Sequence, residues 1–134
     1  MLPKPSRCHG CPLHTIDPDG FIPGSGNASN SVLLLGEAGG REERLQARAF
    51  AGAAGFQLDR SLDRLGEPRQ NFWIDNCVKC RPPSNFLEGA PWEADAIAHC
   101  NTYFQDTVRQ HRPRVIVTLG GIPLKKVLGL SSLV

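Results

Sequence analysis

The sequence predicts an α/β fold, three layers deep, with helices on both faces of a short parallel sheet. Three observations carry that reading. Apolar runs at Val32, Leu33, Leu34 and Leu35, at Phe72, Trp73 and Ile74, and from Val115 to Leu119 read as strands buried on both faces. Helical spacing fills the gaps between them: Ala54, Leu58, Leu62 and Leu65 in the first, Ile97, Cys100, Phe104 and Val108 in the second. Strands that alternate with helices call for right-handed parallel crossovers.

At 134 residues the chain reads as a single domain, residues 1–134. Three strands are few for such a sheet, so a last strand is expected to be missing and the domain incomplete at its C-terminus. The net charge of +2 is too mild to announce a nucleic-acid protein, which leaves that task to local clusters. No apolar run approaches membrane-spanning length, and MLPKPSRC lacks the core of a signal peptide. The expectation is a cytoplasmic protein that does not engage a membrane. Its five cysteines are then better read as ligands than as disulfides.

Residues 1–30 carry no periodicity and read as an irregular arm. Cys8-His9-Gly10-Cys11 is a tight CxxC turn, and Pro18-Asp19-Gly20 and Pro23-Gly24-Ser25-Gly26 are turn chemistry. The first strand runs straight into Gly36-Glu37-Ala38-Gly39-Gly40, which sets a carboxylate on the edge where open α/β sheets bind ligands. A charged stretch, Arg41-Glu42-Glu43-Arg44, and a loop bearing Phe50 follow, then the first helix, which Gly66 stops. The second strand ends at Asp75-Asn76, and a basic, proline-braked loop, Cys77-Val78-Lys79-Cys80-Arg81-Pro82-Pro83, comes next. Pro91 opens the second helix, with Cys100 on its inward face, and Pro113 ends it. Gly120-Gly121 turns the third strand into a short helix around Leu124, Val127 and Leu128.

Two ligand sets compete for the cysteines. Cys8, Cys11, Cys77 and Cys80 form two CxxC pairs suited to zinc, leaving Cys100 as a spare thiol. Cys8, Cys11, Cys80 and Cys100 are compatible with a [4Fe–4S] cluster. Spacing alone slightly favours zinc.

Six blocks in order resemble the iron–sulfur uracil-DNA glycosylases of the family 4 type. They are CHGCPL, the PGSG turn, the strand ending in GEAGG, AFAGAAG, the strand leading into Asn76 and KCRPP-x-N, and the strand ending in LGG. The resemblance implies that family's α/β fold and excision of uracil from DNA. It implies cluster ligands at Cys8, Cys11, Cys80 and Cys100, with a scaffolding rather than redox role. It also implies that Glu37 positions or activates water, that Phe50 stacks on the extruded base, and that Asn76 bonds the uracil edge. Gly36 and Ala38 would offer backbone amides to the base, and Lys79, Arg81 and Asn85 would contact phosphate.

The chain departs from the family pattern in several places. Gly39 stands where the family has proline, Arg44 where it has an acid, Ala49 and Ala51 where it has proline and valine, and Phe86 where it has arginine. The family's last strand and His-Pro-Ser loop have no counterpart, and His9, His14, His99 and His111 lie in no comparable block. The alternatives are an inactive nucleic-acid-binding paralogue or a zinc-stabilised interaction domain. A complete domain of this kind would be a monomer, and the truncated one would self-associate through its exposed third strand.

Overall fold

The computed structural model describes residues 1–130; positions 131–134 lie outside the described residues. Four strands form one sheet: β1 (Ser25–Gly26), β2 (Val32–Ala38), β3 (Trp73–Val78) and β4 (Val115–Thr118), in the order β1-β3-β2-β4. β2 runs parallel to both β3 and β4, while β1 pairs antiparallel with β3. Four helices accompany them: α1 (Arg41–Gln46), α2 (Ala53–Leu65), α3 (Glu93–His111) and α4 (Gly121–Leu128).

Two elements differ from the sequence expectation. β1 lies inside the PGSG stretch read as pure turn, because two extended residues are enough to bond β3 yet leave no periodic trace. α1 lies in the charged stretch, buries no residue, and so shows no apolar stripe.

Alternation along β2 separates the two cores. Leu33 and Leu35 face one side with Cys77, Val78, Cys100, Tyr103 and Ile122. Leu34 faces the other with Ile74, Phe72, Ala49 and Leu62. Thus α3 and α4 cover one face and α2 the other, which makes the three layers. Each fully buried aliphatic side chain contributes about 1.5–3 kcal/mol. Leu65, counted in the helical stripe, is exposed: α2 ends there, with Gly66 at φ 69° in the left-handed conformation that stops a helix.

β4 is an outer strand of the sheet, and Val115 (51% exposed) and Val117 (39%) stand open rather than buried on both faces as the apolar run implied. The N-terminal arm is fastened at several points. Arg44 makes a bidentate pair with Asp17, with both contacts at 2.5 Å, and Ile22 N–H donates to Lys79 O at 2.7 Å. Arg44, a departure from the family pattern, therefore ties the arm to α1. Among the described residues no helix is long and apolar enough to cross a membrane.

Candidate active site

The parallel register sets the site. Gly36 on β2 lies directly beside Asn76 on β3, and both strands end at the same edge. Glu37, Ala38, Glu43, Phe50, Ala54, Asn76 and Leu119 line a cavity of about 200 Å³ there. Gly36 must lack a side chain: a Cβ would lie 2.5 Å from Asn76 Oδ1 and 2.5 Å from Phe50 Cζ. The glycine thereby lets the amide and the aromatic ring approach each other across the strand.

Asn76 is only 7% exposed, yet its side chain lines the cavity, so its amide offers a donor and an acceptor to whatever enters. Glu37 is half-buried, and burial pushes its carboxyl above the usual range. The charges of Glu88 and Glu93 push it further and Lys125 opposes them. A carboxylate so placed is a better proton acceptor than a solvated one.

Phe50 holds its ring at the cavity with a left-handed backbone (φ 53°), unusual for a bulky residue. Two grips keep it there. From one side Arg69 donates to the carbonyls of Ala49 and Phe50 while pairing with Asp59 at 2.9 Å. From the other, Glu43 accepts from Ala51 N–H at 3.1 Å, Gly52 N–H at 2.9 Å and Gly40 N–H at 3.0 Å. Burial would raise the Glu43 carboxyl, but these backbone donors outweigh it and hold it below the ordinary range. Gly55 completes the seat, since a Cβ there would lie 1.9 Å from Phe50 O.

Glu43 and Arg69 were not singled out from sequence. Glu43 sits three residues after Gly40, the offset at which a helix N-terminal carboxylate reaches back to the backbone, and that signal was available. Arg69 carried none.

Lys79 stands apart from its expectation as a solvent-facing phosphate contact. It is 5% exposed and pairs with buried Asp75, which also accepts from Asn76 N–H and Trp73 Nε1–H. The lysine thus joins the strand bearing Asn76 to the loop bearing Cys80. Arg81 and Asn85 do lie outward, with Arg81 Nε donating to Asn85 Oδ1 at 2.7 Å.

Cys8, Cys11, Cys80 and Cys100 line a second cavity with Leu13, Phe21 and Lys79. It measures about 10 Å³, room for about one water molecule. Burial pushes the Cys80 thiol up to about 12 and that of Cys100 up to about 11. Hydrogen bonds reach the sulfurs: Tyr103 Oη lies 3.1 Å from Cys8 Sγ, and Leu13 N–H donates to Cys11 Sγ at 3.5 Å. Cys77 is buried but does not line this cavity. Among the described residues no three His, Cys, Asp or Glu side chains gather closely enough to hold a single metal ion.

Comparison with known proteins agrees with this layout. The chain matches the model of the uracil DNA glycosylase superfamily over residues 23–133. It is 36% identical over 126 residues to the type-4 uracil-DNA glycosylase of Archaeoglobus fulgidus, covering 94% of this chain and 61% of that protein. The Pyrobaculum aerophilum protein of the same name is 37% identical over 126 residues, with 94% and 62% covered. That of Saccharolobus solfataricus is 36% identical over 115 residues, with 85% and 51% covered. This chain therefore spans between half and two thirds of these relatives' length. With the family match running from the PGSG turn past the last helix, over a sheet whose edge gathers Glu37, Phe50 and Asn76, the chain belongs to the uracil DNA glycosylase superfamily.

Proposed function

We propose that this chain extrudes uracil from DNA in the cytoplasm and hydrolyses its N-glycosidic bond. One observation carries the proposal: a single cavity presents an aromatic face, a buried amide and a carboxylate raised above its usual range. The three match what the reaction needs. Phe50 stacks on the flipped base, Asn76 bonds its edge, and Gly36 and Ala38 offer backbone amides. Glu37 takes a proton from the attacking water as oxygen bonds to C1′. The C1′–N1 bond breaks, its electron pair leaves with uracil, and solvent reprotonates the base. The Glu37 charge also favours the cationic sugar of the transition state. Arg81 and Asn85 contact phosphate.

The donor set fits a [4Fe–4S] cluster better than zinc. Four thiols, three of them buried, line one space rather than meet at one point, whereas zinc needs all four sulfurs at about 2.3 Å. Hydrogen bonds to Cys8 and Cys11 suit thiolates that carry cluster charge. The zinc alternative also needs Cys77, which does not line that space. Cys8, Cys11, Cys80 and Cys100 would hold the cluster, which would serve as scaffold. Bound there, it would cross-link the arm, α3 and the loop after β3.

The test is uracil release from a single-stranded oligonucleotide by the purified chain and by Glu37→Gln, alongside iron analysis. Excision by the first alone, with about four irons per chain, is expected. Neither excision nor uracil-dependent binding by the wild-type chain would overturn the reading.

A further inference from the structure

Phe86 lies on the loop after Cys80, is 46% exposed and does not line the Glu37 cavity. Its neighbours fix where it stands. A Cβ on Gly40 would lie 3.8 Å from Asn85 Oδ1, so the loop abuts the turn that follows Glu37. On its other side Glu88 lies near enough to act on the Glu37 charge.

The loop is built to keep the ring outward. Ser84 (φ 54°) and Asn85 (φ 58°) are consecutive left-handed residues, an arrangement that persists only where surroundings enforce it. Pro82 and Pro83 stiffen the entry, Arg81 bonds Asn85, and Leu87 is fully buried just beyond. Trp92 donates its Nε1–H to Phe86 O at 2.8 Å and sets its ring edge-on to Phe86, with centroids 6.2 Å apart and planes at 80°. Nearly half of the Phe86 surface stays open to solvent.

We propose that Phe86 stacks on a nucleobase flanking the extruded uracil. The inference rests on the glycosylase reading and adds a second, independent base contact to it. Charge favours the same ligand: Glu88, exposed two residues along the loop, repels phosphate, whereas an uncharged base face tolerates it, and Glu93 is paired with Lys125 at 3.5 Å. Phosphate is left to Arg81 at the other end of the loop. Base–aromatic stacking is tolerant of sequence, so the contact grips a strand without reading it.

The test measures binding of single-stranded oligonucleotides in which 2′-fluoro-2′-deoxyuridine resists cleavage. One version has normal neighbouring bases and one has abasic analogues on both sides. Phe86→Ala and Phe86→Leu are expected to bind the normal strand about 5- to 150-fold more weakly than wild type, the worth of one stacked base. Phe86→Trp is expected to restore binding. On the abasic-flanked strand wild type and variants should converge, and the dependence of affinity on salt should be unchanged, since no phosphate contact is lost. Equal binding of the normal strand by wild type and Phe86→Ala overturns the inference while leaving the glycosylase reading intact. So does a loss that persists on the abasic-flanked strand, because the ring would then act through loop shape. If wild type shows no preference for uracil but Phe86→Ala still weakens flank-dependent binding, the glycosylase reading falls and the stacking contact stands. Absence of any DNA binding removes both.

Discussion

The cysteine cavity and the Glu37 pocket are neighbours built from opposite materials. The pocket is open, and its polar groups are settled: Glu43 accepts three backbone N–H groups, and Asn76 faces the opening from a buried strand end. The cysteine cavity is lined by four thiols, two of which burial raises to about 12 and about 11. Buried thiols resist the ionisation that metal binding needs, so a bound group must supply the charge that holds them as thiolates. If the four cysteines hold a cluster, the cavity is completed by what it binds, whereas the pocket is built by the chain alone. The two should therefore fail differently.

The largest failure is expected at the cavity. Cys100→Ala should abolish iron binding, lower Tm by at least about 10 °C and free residues 1–20 to limited proteolysis. Cys77→Ala should keep the iron. Equal iron in both variants would break the comparison. At the pocket, Glu37→Gln should slow excision by about 10²–10⁴-fold with iron content and Tm unchanged. The same carboxylate sets a pH dependence with a definite sign. Its raised value keeps the base protonated and idle to higher pH, so kcat/KM should fall as pH drops through a point above the ordinary carboxylate range. Glu88→Gln removes one of the charges raising it and should move that inflection to lower pH.

Between the two regions stands the Asp75–Lys79 pair. Asp75→Ala leaves a buried ammonium without its partner and should cost about 3–5 kcal/mol of stability by denaturant titration. A loss under 1 kcal/mol would mean that the two regions are not joined through this pair. The smallest effect is expected at Phe50, where Ala should weaken binding of an extruded uracil by about 1–3 kcal/mol in a titration with the cleavage-resistant strand. Iron content should not change.

What could be read in advance follows the same division. The three longer strands and the two longer helices were legible because apolar periodicity is a local property, and Cys100 fell on the inward face of α3 as its spacing with Ile97 and Phe104 required. Phe50, Asn76 and Glu37 were singled out through resemblance, and they line one cavity because the Gly36–Asn76 register sets the two strand ends side by side. The inward turn of Lys79 was not legible, because its partner lies four residues back and a local pattern does not distinguish a paired lysine from a solvated one. Glu43 was passed over because REER looks like any solvated charge run, although its carboxylate is engaged with backbone from two loops. Arg69 acts on carbonyls 19 and 20 residues away, and no local pattern encodes such a reach.

The left-handed backbone of Phe50 also has a consequence in time. Holding a bulky residue there costs about 1–3 kcal/mol, which is recovered only while Arg69 and Glu43 both keep their grips. A segment under such tension opens by itself, well before the sheet beneath it loosens. The amides of Ala51 and Gly52, whose protons are held by the Glu43 carboxylate, should therefore exchange with solvent deuterium together and far sooner than those of β2 and β3. The surface on which a base would rest is then expected to loosen as one unit, apart from the sheet that carries Glu37 and Asn76.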